Sequence, residues 1–165
     1  MERLYSPWRL AYVTNADQPS NGCIFCQAAD ASAQADLVVA RGASAFVILN
    51  LYPYNSGHLM VVPNRHVASL SGLDRDELIE LMLLLERSER VVTEVYAPHG
   101  LNVGINLGKA AGAGMADHLH VHVVPRWNGD TNFMSVVGDV RVLPEEVPVS
   151  AARLRSAFEK LTVDD

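Results

Sequence analysis

The sequence is poor in cysteine, with two in 165 residues, so no disulfide framework carries the fold. No apolar run approaches the ~18 residues that a transmembrane helix needs. Basic charge is also short: 13 Lys and Arg stand against 19 Asp and Glu, a net charge of −6. Nucleic acids and anionic membrane surfaces are bound through basic patches, so neither is an expected partner. Residues 1–13 lack the uninterrupted apolar stretch and small-residue cleavage site of a signal peptide. There is no internal repeat, low-complexity tract or heptad run. A hydrophobic fraction of 49% against 19% charged residues excludes a disordered chain. What is left is one globular domain over residues 1–165, with its core at about 23–127, read as a cytoplasmic enzyme or binding domain.

The residue type most informative in its placement is histidine, of which there are six. His118-Leu119-His120-Val121-His122-Val123-Val124 reads as a strand. Alternation puts the three histidines on one face and Leu119, Val121 and Val123 in the core. Three explanations compete. One metal ion bound by all three is disfavoured, because the outer pair lies about 13 Å apart on a straight strand while zinc–nitrogen bonds are about 2 Å. A merely polar surface face is the second. The third makes the middle histidine a nucleophile assisted by its neighbours. Imidazole suits phosphorus chemistry at neutral pH: one nitrogen attacks while the other fixes the tautomer, and a neighbour stabilises phosphate oxygens. Positioning and electrostatics carry such a displacement, so no catalytic metal is required. The glycine-rich stretch Gly108-Lys109-Ala110-Ala111-Gly112-Ala113-Gly114 leads into the strand, and its amides can approach an anion; an ordinary hairpin loop is the bland alternative. It is not a Walker A loop, since Ala110 follows Gly108-Lys109.

The remaining pattern is mixed. Short β-rich runs are predicted at Leu37 to Ala40, Ala45 to Leu49, His58 to Val62 and Leu101 to Leu107. A long helix is predicted over Asp74 to Ala97, with Asp74 and Glu77 in capping-box spacing and Leu78, Met82, Leu85, Val92 and Val95 on one face. A terminal helix is expected from Ser150, with Leu154, Phe158 and Leu161 inward. Neighbouring strands with one central and one C-terminal helix give an α+β class with an antiparallel sheet. Cys23-Ile24-Phe25-Cys26 opens a short helix and leaves three options: a redox pair, half a metal site, or two buried thiols. With only two cysteines, a zinc site needs histidines, and His66 follows a strand.

Taken together, the motif at His118 to Val124 followed by Pro125-Arg126, with Cys23-Ile24-Phe25-Cys26, Asn50 ahead of Gly57-His58, the run His58 to Pro63, and Asn106 with Gly108, resembles the histidine triad (HIT) family. Asn50-Leu51-Tyr52-Pro53-Tyr54-Asn55, Asp117 to Trp127 and Ser6-Pro7-Trp8-Arg9 resemble its branch of bacterial diadenosine tetraphosphate phosphorylases. The resemblance implies a five-stranded antiparallel sheet and a homodimer with the two sheets side by side. It implies a purine nucleotide or dinucleoside polyphosphate as ligand, and hydrolase or nucleotidyltransferase activity at the α-phosphate through a nucleotidyl-histidine. By residue, it implies that His120 is the nucleophile and that His122 and His58 are phosphate-side helpers. Asn50 would hold the ribose, Phe25 and Leu49 would line the base pocket, and Asn106 would lie near the phosphates. It further implies a structural zinc on Cys23, Cys26, His66 and His118. Many family members carry Gln where this chain has Gly114. Amides of Gly114, Met115 and Ala116 would then hold the phosphate, and phosphate could replace water as acceptor, making a phosphorylase. A nucleotide-binding adaptor with little turnover and a metal scaffold are the non-enzyme alternatives. Trp8 and Trp127 are assigned to packing or dimer contacts, with Trp8 also a candidate nucleotide contact, and His99 to a solvated turn.

Overall fold

A computed structural model describes residues 22–30, 36–130 and 145–161. The expected N-terminal arm with Trp8, and much of the tail beyond Trp127, lie outside the described residues. Helix α1 (Ile24–Ala29) precedes strands β1 (Val38–Arg41), β2 (Ala45–Leu49) and β3 (Leu59–Pro63). Then come the long helix α2 (Arg75–Tyr96), strands β4 (Gly100–Ile105) and β5 (Val121–Arg126), and helix α3 (Val147–Leu161). The five strands form one antiparallel sheet in the order β1-β2-β3-β5-β4. This is the α+β architecture expected from the sequence. No helix among the described residues is long and apolar enough to cross a membrane.

Strand alternation sorts the apolar residues onto two faces. Val47, Leu49, Leu59, Val61, Leu119, Val121 and Val123 point to one side. There they meet Leu81, Leu84, Val91 and Val92 of α2, and Leu154 and Phe158 of α3. Phe46, Met60 and Val62 point to the other side and meet Phe25 and Ala28 of α1. The second face is the one that carries the histidines.

Helix α2 starts as its sequence dictates. Asp74 accepts from Glu77 N at 2.9 Å and Glu77 Oε2 accepts from Asp74 N at 2.9 Å. Glu80 ties the helix to the β1–β2 turn by accepting from the Ser44 and Ala43 amides and the Ser44 hydroxyl. The expected apolar stripe is turned, however. Met82 is 58% exposed, while Leu81, Leu84, Ser88, Val91 and Val92 are buried. The cause is the helix's neighbours: α3 lies on one flank, where Arg87 packs over Phe158, and α3 covers β1. Edge strand β4 carries a second exposed apolar residue, Val103, 49% exposed.

Two other boundaries differ from expectation. The β5 ladder begins at Val121, not His118. Pro63 of β3 has no N–H to offer there; instead its carbonyl accepts from His118 Nε2 at 2.9 Å, and Leu119 N donates to Val67 O at 2.6 Å. Helix α3 begins at Val147, ahead of Ser150, because Pro148 is tolerated in a first turn where its missing N–H costs nothing. Ser150 is buried inside that turn and donates to Glu145 at 2.6 Å.

Candidate functional site

The stretch 118–122 and the loop 50–58 bring four histidines into a row. Ring centroids are 4.9 Å apart for His120 and His122, and 5.1 Å for His122 and His58. The hydrogen bonds assign each ring a tautomer. His120 Nδ1 donates to the His118 carbonyl at 2.8 Å, which leaves the Nε2 lone pair uncommitted. Tyr54 N donates to His58 Nδ1 at 3.1 Å. Asn50 Oδ1 accepts from Tyr52 N at 3.0 Å, which turns Asn50 Nδ2 toward the same His58 nitrogen at 3.4 Å. His58 therefore carries its proton on Nε2 and donates it to His122 Nδ1 at 3.0 Å. His122 in turn must hold its own proton on Nε2. The result is one imidazole with a free lone pair beside one with an outward N–H, which is what in-line attack on a phosphoryl group uses.

Burial disfavours the charged forms of His120 and His122. It pushes His120 below the usual imidazole range, opposed only by its bond to the His118 carbonyl. It pushes His122 down to about 4, with the neighbouring His120 charge a second cause. Between about pH 6.5 and 4 the unfolded chain binds protons that the folded site refuses, so stability is expected to fall as pH drops through that window. Thermal unfolding followed from pH 7 to pH 4 checks this; a midpoint that rises on acidification contradicts it.

Phe25 closes one end of the row, with its ring 5.1 Å from His120 and 5.4 Å from His118. Met115 packs in the same cluster. Leu49 does not join them: it is 1% exposed, in the core on the opposite face of the sheet. The residue that β2 turns toward Phe25 is Ile48, one position earlier, and alternation from the buried Phe46 was the available signal. Tyr54 was also missed; its ring stacks on His58 at 4.8 Å. Asn106 is half-buried just past β4. In the glycine-rich loop, the amides of Ala111, Gly112 and Ala113 bond back to Gly108 and Lys109, aided by positive φ at Gly108 and Gly112. The amides of Gly114, Met115 and Ala116 are not spent on that turn. His99 caps a local turn, accepting from Asn128 N at 2.9 Å.

Cys23, Cys26, His66 and His118 converge at the His118 end of the row, their ligand atoms all within 4.8 Å of one another. His118 Nδ1 is 3.2 Å from Cys23 Sγ, and His66 Nδ1 is 3.2 Å from Cys26 Sγ. Both imidazoles face the thiols with Nδ1, and His118 has its other nitrogen on the Pro63 carbonyl, as metal-bound histidines do. Two thiolates and two imidazoles at these separations suit a closed tetrahedral metal site. Burial and the adjacent Cys23 push the Cys26 thiol up, away from the depressed values of redox-active cysteines.

A HIT domain family model matches residues 32–129. The AP-4-A phosphorylase of Mycobacterium tuberculosis is 45% identical over 152 residues, which covers 88% of this chain and 78% of that protein. The bis(5'-adenosyl)-triphosphatase of Dictyostelium discoideum is 35% identical, covering 70% of this chain and 81% of its own. Among solved structures, a Zn-bound histidine triad family protein from Mycobacterium smegmatis superposes with a TM-score of 0.70 at 29% identity, over 87% of this chain and 98% of that one. The row of histidines, the sheet that presents it and these likenesses lead to one assignment: the chain belongs to the histidine triad family.

Proposed function

We propose that the protein cleaves dinucleoside polyphosphates, diadenosine tetraphosphate being the model substrate, by nucleophilic attack of His120 on the α-phosphorus. The observation that carries this is the pair of fixed tautomers: His120 has a free Nε2 lone pair, and His122 has an Nε2–H beside it. His120 Nε2 forms a bond to phosphorus, and the bridging P–O bond breaks with its electron pair on the departing polyphosphate. His122 donates a hydrogen bond to the phosphate or leaving oxygen, and His58 holds His122. A polyphosphate leaves as a stable anion, so a hydrogen bond suffices where an amine or alkoxide would need a proton. An acceptor oxygen then attacks the nucleotidyl-histidine and returns the pair to His120.

Asn50 would hold ribose hydroxyls. Phe25, Ile48 and Met115 form the apolar side on which a purine base would rest, and Asn106 with the amides of Gly114, Met115 and Ala116 would hold phosphate oxygens. Inorganic phosphate is the favoured acceptor, supported by Gly114 and by the 45% identical relative named as a phosphorylase. The test is a product assay on diadenosine tetraphosphate with and without phosphate. ADP and ATP forming together only with phosphate is the expected result. AMP and ATP without phosphate would make the enzyme a hydrolase, and no product in either condition would make it a binding protein.

The metal that Cys23, Cys26, His66 and His118 fit best is zinc in a structural role, tying α1 to the start of the histidine row. A pair of unbridged thiols also suits the reducing cytoplasm. A homodimer is supported by the open edge of β4 and the exposed Val103 on that strand. Unpaired strand edges invite pairing, and two copies joined there would share one continuous sheet.

A further inference from the structure

His58 stands at the end of an irregular loop over residues 50–58, yet its ring must be aimed within hydrogen-bond reach of His122. The loop is gripped from outside the histidine row. Asn55 is buried and donates from Nδ2 to the Pro125 carbonyl at 2.8 Å and to Asp130 Oδ2 at 2.9 Å. Its own backbone carbonyl accepts from His58 N at 3.2 Å. Asp130 is locked in turn: Arg126 reaches it with Nε at 2.6 Å and Nη2 at 2.9 Å, and Trp127 N donates to it at 3.3 Å. Arg126 also donates to Asn102 Oδ1 at 2.8 Å, which anchors the assembly on β4. Beside His58, Gly57 lies at φ +78° on the Tyr96 ring, where a Cβ would come within 2.6 Å of a ring carbon. The loop has no room to settle elsewhere on that side.

We infer that Asn55, held by Asp130 and Arg126, is a positioning residue for His58, and through His58 for His122. The inference rests on the assignment of His58 and His122 to the phosphate side of the reaction proposed above. The chemistry of the site requires an amide. Two acceptors, a carbonyl and a carboxylate, converge on one NH2 group, which supplies a donor to each. Aspartate would face Asp130 as a like charge, and alanine would remove both of the loop's side-chain bonds, to the Pro125 carbonyl and to Asp130. Arg126 holds the Asp130 carboxyl far below the usual carboxylate range, so the clamp stays charged at any working pH. Its outer member, the Arg126 side chain, is 44% exposed, and the Asp130 side chain beneath it 10%. Loosening the clamp moves the loop more than it unfolds the domain.

The test is Asn55→Ala in the full chain, read by steady-state kinetics on diadenosine tetraphosphate and by the slowly exchanging His58 Nε2–H proton in 15N-edited NMR. The expected result is a fall in kcat of about 100-fold with KM changed by less than about threefold, and loss of the His58 proton signal. Asp130→Asn keeps an acceptor for Asn55 and loses the ion pair, so it is expected to fold and to lose roughly tenfold in kcat. It decides the matter alone if Asn55→Ala does not fold. Wild-type kcat in a folded variant, an unchanged His58 signal, or a rise in KM at constant kcat overturns the inference. A wild-type protein inert toward diadenosine tetraphosphate sinks the proposed reaction instead, and the NMR signature still reports on the clamp.

Discussion

Replacing His120 with alanine is expected to abolish turnover, with kcat falling on the order of 10⁴-fold or more, while nucleotide binding survives. The reason is its position in the row. His120 Nδ1 is committed to the His118 carbonyl, so the ring can present only Nε2 to substrate, and burial keeps that nitrogen unprotonated. No neighbour can take over. His122 has its lone-pair nitrogen occupied by His58, and His118 is turned to the cysteines. Binding should persist because the base side, Phe25, Ile48 and Met115, is built from other elements. His122→Ala should cost less, about 10²–10³-fold, since it removes one hydrogen-bond donor and leaves the nucleophile intact. Initial rates beside equilibrium nucleotide titration separate the two effects. Near wild-type rates in His120→Ala contradict the nucleophile assignment.

The second large effect is expected at the cysteines. The purified protein should carry one zinc per chain, and Cys23→Ala should lose it. Its thermal midpoint should fall by roughly 10 °C, taking a loss of about 4 kcal/mol and some 2–4 °C per kcal/mol for a chain of this size. The consequence reaches the active site, because Cys23 precedes α1 and α1 carries Phe25 against His120. His118 moreover contributes to both sites, its ring to the cysteines and its carbonyl to His120. Nucleotide KM should therefore rise in Cys23→Ala, whereas His120→Ala should retain its metal. Metal analysis with calorimetry on both variants checks this. A metal-free wild-type protein that melts at the same temperature as Cys23→Ala contradicts it.

What the sequence disclosed follows from where side chains alone determine the outcome. Histidines at alternate positions can only share a face, and Asp74 with Glu77 can only cap the helix they open. The capping box and the single histidine face are both present. Other features depend on backbone groups and neighbours. Tyr54 acts on His58 through its N–H, which any residue but proline supplies, so no side-chain pattern marks it. Pro63 ends the pairing of β5 because its missing N–H happens to face Leu119, a matter of register. Leu49 was one residue out of phase, since alternation in β2 puts Ile48 on the histidine face. Met82 repeats at helical spacing with core residues, but packing of α2 against α3 and the sheet buries Leu81, Leu84, Val91 and Val92 and leaves Met82 exposed. The acidic net charge also takes on a narrower meaning. Under the proposed function, a small anionic nucleotide would be held by local amides and imidazoles, whatever the sign of the overall field.

The proposed reaction passes through a covalent bond between His120 and the α-phosphorus. Its most direct measurement is a single turnover with α-32P-labelled diadenosine tetraphosphate, in the absence of phosphate, followed by acid-labile adduct mapping. The expected result is about one label per active chain, on the peptide containing His120, discharged as ADP when phosphate is added. Product formed with no label ever trapped on His120, in a protein that turns over normally, would contradict it.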